Sequence, residues 1–300
     1  MIGSPYLDGR DRYERVMEGW VDNTHPDALT HTVQISDESW GIELSAVCGT
    51  SPGYEVREAS ARALSGPVDP ALVADVPKLA GSRMVGGFTR RLVDLCGDRP
   101  GAGFVVDGGI EIARLARQVN KMPPADVAGL DPADALACWQ LDTTGWVDLP
   151  DSCFTYSPGG RALFGTRPVS TPMVPELYSP PPGARRVFRR KKVARLVRTD
   201  RRLHLFHSMH DNVHGFDVHY ELDLDGGRIA AADVITSRLP YAGICSEPQG
   251  RITSMVGQPV DGTLRKRVQV AIGGSSGCAQ LYDLTADLLK LLSLPAEAKS

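Results

Sequence analysis

Apolar and polar residues alternate along two stretches of the chain, at 31–37 and 218–225. In the second stretch, VHYELDLD, Tyr220 and Leu222 lie on one face of an extended chain and His219 on the other. Alternation over this length predicts a half-buried β-strand. Each stretch continues through a turn into another apolar run, so we predict two antiparallel strand pairs.

A helical period replaces this alternation near the end of the sequence. Leucines recur there three and four positions apart, which predicts an amphipathic helix whose apolar stripe packs in the core. Two shorter segments, FTRRLVDLC at 88–96 and TLRKRVQVAI at 263–272, predict further amphipathic helices. The leucines of the stripe are Leu281, Leu284, Leu288, Leu289 and Leu292.

These elements recur in the same order in two parts of the chain. Residues 31–58 match residues 219–245 in pattern, and residues 81–107 align with 257–283 without gaps. Such self-similarity predicts an internal repeat. We therefore expect an α+β protein of two tandem, pseudo-equivalent repeats, each an antiparallel sheet with helices packed on one face.

The domain boundaries follow from a proline-rich segment between the two parts. Residues 157–184 hold seven prolines and show little periodicity, which is typical of a linker or a wrapping arm. We predict a first, degenerate repeat with an extra helical segment at 1–156, the linker at 157–184, and a second repeat at 185–300. In this alignment Tyr54 falls opposite Tyr241.

Composition restricts the class of protein. The chain has 300 residues, 42% of them hydrophobic, and a net charge of −3, which argues against a general nucleic-acid binder. No run of about 18 apolar residues and no signal peptide is present, so we expect a cytoplasmic protein without a membrane partner. The cysteines form no CxxC pair and are expected to be reduced thiols. They are Cys48, Cys96, Cys138, Cys153, Cys245 and Cys278.

Positive charge is concentrated directly after the proline-rich segment. Residues 185–202 hold ten basic residues and one acid. This pattern favours a solvated edge strand protected by its charges. The alternative is an anion-binding face for a carboxylate, a phosphate or a coenzyme A group, since arginine suits such ligands.

Five of the seven histidines fall within residues 204–219, HLFHSMHDNVHGFDVH. The Asp-Asn and His-Gly pairs indicate a turn rather than a metal-binding helix. If the flanks are strands, His204 and His210 share one face and His207 lies on the other, so few of the imidazoles converge. His214 would lie at the turn.

The second half carries a recognisable motif. Arg238, Pro240, Tyr241 and Cys245 are followed by Gly257, Gly262 and Arg267, and then by GGSSGC and Leu281. This pattern, from about Arg185 to Leu294, resembles an uncharacterised bacterial domain family with a Pro-Tyr...Cys and a Gly-Cys-Thr-His-Leu motif. The sequence departs from that family at Gln280, where the family has histidine, and at Thr263, where the family tends to have tryptophan.

A more distant resemblance is to iron–sulfur scaffold proteins of the NifU type. These share the order of strand, turn, strand, a first cysteine region and a late helix opened by a cysteine. The resemblance implies a NifU/SufE-like fold for each repeat and places His219, Cys245 and Cys278 at the ligand positions. Thiolates with imidazole suit zinc, the metal we expect here if there is one, or an iron–sulfur centre. The alternative is no cofactor.

Candidate catalytic groups are His219, Cys278, Glu58 and Tyr241. Cys278 precedes a predicted helix, whose dipole would favour a thiolate, and His219 shares a strand face with carboxylates that can fix its tautomer. Glu58 falls opposite Cys245 in the alignment, so a carboxylate would replace a thiol in the first repeat. Candidate substrate-binding residues are Arg238, Tyr54, Arg57 and Gln280.

These residues favour an enzyme that acts on an organic or aromatic acid by proton transfer or C–C bond chemistry, as a decarboxylase, lyase or isomerase, in a crevice formed by the repeats. One alternative is a metal-binding or metal-delivery module. Another is a non-catalytic ligand-binding or assembly protein. The expected partner is a small acidic molecule, and the expected oligomeric state is a monomer or a homodimer.

Overall fold

The computed structural model describes residues 2–295. Over these residues eight strands form one antiparallel sheet in the order β4-β3-β2-β1-β5-β6-β7-β8, so two four-stranded meanders meet at its centre. The first residue and the last five residues of the predicted repeats lie outside the described range. The strands are β1 (Arg12–Asp22), β2 (Leu29–Ser36), β3 (Gly41–Cys48), β4 (Val56–Ser65), β5 (Phe188–Thr199), β6 (Arg202–Asp211), β7 (Gly215–Asp223) and β8 (Arg228–Arg238).

Helices cover one face of this sheet, which gives the α+β class expected from the sequence. In the described residues the helices are α1 (Pro70–Asp75), α2 (Phe88–Cys96), α3 (Ala102–Leu115), α4 (Pro124–Val127), α5 (Ala135–Gly145), α6 (Pro158–Leu163), α7 (Pro175–Tyr178), α8 (Leu264–Ile272) and α9 (Ala279–Leu289). The long helix α3 packs across β1, β2 and β3, and α9 packs across β6 and β7. We call the covered face the inner face.

Burial follows the strand period on the inner face. Along β2, Leu29, Val33 and Ile35 are fully buried, whereas Thr30, Gln34 and Ser36 on the opposite face are partly exposed. Along β6, Leu203 and Leu205 are buried in the same way. Because side chains of a strand alternate in direction, one face of each strand builds the core and the other meets solvent.

The same short hydrogen-bonded contact closes both meanders. The backbone N–H of Gly81 donates to the carbonyl of Val56, at the start of β4, at 2.8 Å. The N–H of Gly257 donates to the carbonyl of Ile229, at the start of β8, also at 2.8 Å. Both glycines have a positive φ, of 79° and 83°, which residues with a side chain rarely adopt. The alignment of 81–107 with 257–283 therefore agrees with the backbone.

The other part of the predicted alignment is wrong. Tyr54 lies before β4, whereas Tyr241 follows β8, so these tyrosines do not correspond and Glu58 does not correspond to Cys245. The physical reason is that a period of two is shared by every half-buried strand. Nothing in that pattern prevents an alignment from slipping by one whole strand.

The basic run forms a central strand and not a solvated edge. β5 pairs with β1 on one side, from Phe188↔Val21 to Val197↔Arg12, and with β6 on the other. The two halves therefore share one continuous sheet, where a separate sheet was expected for each. The inward side chains of β5 are buried together with carboxylates of the helices, which is what makes a basic central strand stable.

The proline-rich segment is ordered along its length. It contains the two short helices α6 and α7 and is held to the end of β1 through Asn23, whose side-chain amide donates to the carbonyl of Pro180 at 2.7 Å. The N–H of Gly183 donates to the Asn23 carbonyl at 2.8 Å. The segment thus wraps along the molecule as an arm and enters β5.

Candidate functional site

A cavity of about 120 Å³ lies between residues 117–173, which precede β5, and residues 213–280 of the second half. Apolar side chains form much of its wall: Trp146, Leu149, Met173, Val213, Phe216 and Leu239. Polar, ionisable and thiol side chains lie among them: Arg117, Asp142, Cys153, Thr155, Tyr156, His214, Cys245, Cys278 and Gln280. An apolar chamber with a few converging polar groups is the usual form of a small-molecule site.

The carboxylate of Asp142 is the most unusual group of this cavity. It is buried and accepts hydrogen bonds from the hydroxyls of Tyr178 at 2.7 Å, Tyr156 at 2.8 Å and Tyr241. Burial raises the pKa of Asp142 to about 6, although the three hydroxyls act in the opposite direction. The carboxylate therefore changes its protonation state close to neutral pH.

Helix α5 places Asp142 at the cavity. Asp134 caps the start of the helix, because its side chain accepts from the backbone N–H of Ala137 at 2.9 Å and so satisfies one free donor of the first turn. Cys138 and Asp142 are four residues apart and share the buried face of the helix. The tyrosine hydroxyls meet Asp142 from three other segments of the chain.

His214, in the turn between β6 and β7, is a second polar group of the cavity wall. The carboxylate of Asp211 accepts from the backbone N–H groups of Val213 at 2.7 Å and His214 at 2.6 Å. It also accepts from Nδ1 of His214 at 3.1 Å and pairs with Arg190 at 2.7 Å. Burial raises the pKa of Asp211, but the cations beside it outweigh this and hold it well below its usual range. Asp211 thus orients the imidazole through Nδ1.

Three cysteines lie in the wall of the same cavity. The hydroxyl of Thr155 lies 2.9 Å from the sulfur of Cys245, and the backbone N–H of Phe154 donates to the Gly277 carbonyl at 2.8 Å, which brings Cys153 close to Cys278. Burial raises the pKa of Cys278 to about 11, outweighing the helix N–H groups that we expected to favour the thiolate. These cysteines are neutral thiols at pH 7.

The structure brings together four of the residues predicted from the sequence. Cys245, Cys278 and Gln280 line the cavity, and the hydroxyl of Tyr241 reaches Asp142 behind it. Gln280 takes the place at which the resembled family has histidine, and it projects an amide into the chamber. Three of the predicted residues therefore lie in the wall of one cavity.

His219 lies elsewhere, so the predicted metal set of His219, Cys245 and Cys278 is not assembled. Its ring is exposed on the outer face of β7 and packs on Phe206 with 4.8 Å between centroids. The sheet separates it from the thiols, because neighbouring residues of a strand point to opposite faces. Within residues 2–295 no group of three or more histidine, cysteine or acidic side chains is arranged to hold a metal ion.

The candidates from the first half also lie apart from the cavity. Glu58 and Arg57 are exposed on β4, and Arg57 pairs with Asp27 at 2.6 Å. Tyr54 is buried and donates to Asp148 at 2.7 Å, beneath the guanidinium of Arg117. The predicted catalytic role of Glu58 and the binding roles of Arg57 and Tyr54 are not supported by these positions.

Arg238 also has a partner within the protein. Its guanidinium donates to the backbone carbonyl of Asp211 at the β6–β7 turn. It therefore supports the turn that carries His214 and is not among the residues that line the cavity.

Sequence reasoning missed Asp142, Tyr156 and the dyad of His214 and Asp211. A signal for the dyad existed, because Asp211 and His214 flank the predicted turn at the spacing of a side-chain-capped turn. Asp142 had no such signal. Its tyrosine partners, at 156, 178 and 241, are distant in the sequence and meet it only in the fold.

A buried cluster of charges joins the two halves beneath the centre of the sheet and includes Asp211, the partner of His214; we call it the ion network. Glu111 of α3 accepts from Lys192 of β5 at 3.0 Å and from Arg190 at 3.1 Å. Asp287 of α9 accepts from Lys192 at 2.8 Å and from Arg114 at 2.7 Å. Among the described residues it contains Arg15, Arg114, Arg190, Lys192 and Lys290 with Asp107, Glu111, Asp211, Asp283 and Asp287.

The cations of the ion network are matched by as many carboxylates. Burial raises the pKa of Glu111, but Lys192, Arg190 and Arg114 outweigh it and hold the carboxyl ionised. The inward basic residues of β5 are therefore bound by the protein's own acids, and an external anion is not needed to neutralise them.

Comparison with known proteins gives one match. Residues 195–292 match the model of a protein family of unknown function (DUF2889). No curated protein and no solved structure matches the chain. In the part of the chain that the structure describes, none of the helices has the length and apolar character needed to cross a membrane. The resemblance of the C-terminal half to an uncharacterised domain family is thus confirmed, whereas the resemblance to NifU-type proteins has no support.

Proposed function

We propose that the cavity is the active site of an enzyme that transfers a proton to or from a small organic acid. The observation that carries this proposal is Asp142, a buried carboxylate at the cavity wall whose pKa is about 6. General acid–base catalysis is most effective when the pKa of the group lies near the working pH. A carboxylate buried only for packing would be costly, since burial disfavours its charged form.

The tyrosines prepare Asp142 for this role. A carboxylate offers about four lone-pair sites, and three are taken by Tyr156, Tyr178 and Tyr241. The hydroxyls fix the orientation of the carboxyl group and leave one site for a proton of the substrate. The pKa values of these tyrosines are raised by burial, so they remain donors.

His214 supplies the second proton-handling group in the same chamber. Its Nδ1 is bound to Asp211, which leaves Nε2 for a ligand. The carboxylate behind the ring also fixes the orientation of the imidazole. Asp142 and His214 can therefore act as an acid and a base on one substrate.

The cavity indicates the class of substrate. A dry cavity of about 150 Å³ holds one benzene ring, and this cavity, of about 120 Å³, is somewhat smaller, so it limits the substrate to a single ring. The ring of Phe216 and the side chains of Met173 and Leu239 suit an apolar or aromatic body. The amide of Gln280 and the imidazole of His214 are polar groups able to bind a carboxylate. Decarboxylation or isomerisation of an aromatic acid fits this arrangement.

The test uses four probes, benzoate, phenylacetate, 4-hydroxybenzoate and phenylpropanoate, each incubated with the protein in D₂O. NMR follows deuterium incorporation and loss of the carboxyl group. We expect turnover of at least one probe, with a pH profile that changes slope near pH 6. Asp142→Asn should lower kcat by a factor of about 10² to 10⁴, and His219→Ala, on the far side of the sheet, should leave it unchanged.

Two other outcomes separate the alternative functions. Saturable binding of a probe without turnover would identify a non-catalytic ligand-binding protein that uses the same chamber. Turnover that survives Asp142→Asn but is lost in His219→Ala would move the site to the outer face and refute the proposal. A metal-delivery function has weaker support, because His219 is separated from the thiols.

We infer further that the halves are tandem repeats. The inference rests on the matching contacts of Gly81 and Gly257 and on the ion network. There, Arg114 of α3 pairs with Asp283 of α9 at 2.9 Å, and Lys290, directly after α9, pairs with Asp107 of α3 at 2.9 Å. The ungapped alignment places Asp107 opposite Asp283, and extending it by about seven residues places Arg114 opposite Lys290. A reciprocal pair of this kind is what two-fold related units produce.

The thiols bear on the compartment of this enzyme. All six cysteines are free, and four of them are buried. Neutral, unpaired thiols in the wall of the proposed active site favour a reducing compartment, and on this ground we propose the cytoplasm.

A further inference from the structure

Strand β4 ends the sheet on one side and offers an unpaired backbone edge. Besides the ladder with β3, the described backbone hydrogen bonds of β4 are made by Val56, whose carbonyl accepts from the N–H of Gly81. From Arg57 to Ser65 the outward N–H and C=O groups have no partner among the described residues. A free edge of this length is a template for another strand.

The side chains of β4 do not protect this edge. Ala59, Ala61 and Ala63 lie on the inner face of the strand, opposite the inner-face residues of β3. They are small enough to let another backbone approach. Natural proteins usually block free edges with proline, lysine or an inward charge, and the stretch from Ala59 to Ser65 contains none of these.

We propose that two copies of this chain pair through β4 in antiparallel orientation, with Ser60 at the two-fold axis. In this register Glu58 of each copy faces Arg62 of the other, and Ala59 faces Ala61. Both charged side chains are exposed on the outer face, which Ser60 shares because residues two apart on a strand point the same way. Opposite charges directly across an antiparallel pair stabilise it, and like charges would destabilise it.

The existing partners of these charges leave them able to pair. Glu58 forms no ion pair among the described residues, and Arg62 pairs with Glu43 at 3.0 Å with 65% of its side chain exposed. Arg62 therefore has a face open to a second carboxylate. A two-fold arrangement pairs the free β4 edges of both copies with each other, so the assembly is complete as a dimer.

The opposite edge of the sheet, β8, does not fit this pairing as well. Its middle residue is Asp233, so antiparallel pairing of two β8 strands about their centre brings two carboxylates together and Arg228 against Arg238. Pairing of β4 with β8 would be head to tail and would produce open filaments instead of a dimer. Charge complementarity therefore selects β4 with β4.

Sedimentation velocity of the full chain at concentrations from about 1 to 100 μM tests the proposal. We expect a species of twice the 32.3 kDa chain mass. Glu58→Arg should raise the dimer dissociation constant at least tenfold, because it sets arginine against arginine. Glu58→Arg combined with Arg62→Glu exchanges the two charges and should restore the dimer. Asp233→Arg, on the other edge, is the matched control and should leave the dimer intact.

Amide hydrogen exchange adds a readout that does not depend on mass. In the dimer, amides between Ala59 and Ala63 should be protected, and Glu58→Arg should remove this protection without changing that of β8. A monomer throughout the concentration range, a dimer unaffected by Glu58→Arg, or filaments would each overturn the proposal. Because Glu58 and Arg62 are exposed, these variants are expected to fold.

Discussion

At the scale of single residues, the behaviour of the cavity depends on burial more than on charge. Three hydroxyl donors do not bring the pKa of Asp142 back to its usual range, and a helix terminus does not make Cys278 a thiolate. In both cases the loss of hydration is the larger effect. A titratable residue cannot therefore be assigned a role from its neighbours in the sequence alone.

The raised pKa of Asp142 gives a prediction for stability. Below pH 4 its carboxyl is protonated in the folded and the unfolded chain, and its contribution is fully present. As pH rises through about 6, the folded protein must ionise a buried group, and about 3 kcal/mol of that contribution is lost. Asp142→Asn lacks this ionisation. Between pH 4 and 7 its free energy of unfolding should therefore rise relative to that of the wild type. Urea unfolding at each pH measures the difference, and a constant difference would contradict the prediction.

The thiol of Cys278 gives a second prediction. With a pKa of about 11, it should react with iodoacetamide slowly at pH 7, and the rate should keep rising until about pH 11. Mass spectrometry of the modified peptide, with Cys278→Ala as the blank, measures the rate. Rapid modification that levels off below pH 8 would show that the thiolate predicted from the sequence exists.

At the scale of elements, β5 is the strand that the sequence described least well. Its charges favoured a solvated edge, yet the strand lies at the centre because Arg190 and Lys192 meet carboxylates of α3 and α9. Local patterns predicted the alternation in β6 and β7 and the leucine stripe of α9, since these depend on period alone. The partners of Lys192 are about 80 or more residues away in the sequence, and no local pattern contains them.

The ion network makes β5 sensitive to the loss of one charge. Lys192→Met should lower the free energy of unfolding by about 3–5 kcal/mol, because Glu111 and Asp287 lose a buried partner. Lys191→Met is the matched control. Its side chain is 59% exposed and pairs with Glu18 on the outer face, so the effect should stay below about 1 kcal/mol. Equal effects of the two substitutions in urea unfolding would show that the network contributes no more than a surface pair.

At the scale of the whole molecule, the halves depend on each other. β1 and β5 pair along ten registered positions, and the ion network is satisfied only when α3 and α9 are both present. The sequence predicted strands and helices in each half, but it could not show that the halves share one sheet. It also could not place the cavity, whose wall combines residues 117–173 with residues 213–280.

This dependence predicts the behaviour of a split chain. Residues 1–184 and 185–300, expressed separately, should each remain largely unfolded, and together they should reconstitute the fold. Circular dichroism and heteronuclear NMR of each fragment and of the mixture measure this. Glu111→Ala in the first fragment should weaken reconstitution, because Arg190 and Lys192 of the second fragment lose their carboxylate. A second fragment that folds alone would contradict the prediction.

The origin of the cavity wall has a consequence for how such proteins diversify. The arm and helices between the two halves supply Asp142, Trp146, Tyr156 and Met173, whereas the sheet supplies the support beneath them. Changes in this connecting segment can therefore alter which molecule is accommodated while the ion network continues to hold the fold. Ligand preference and folding stability are in this way assigned to different parts of one chain, and each is free to evolve at its own pace.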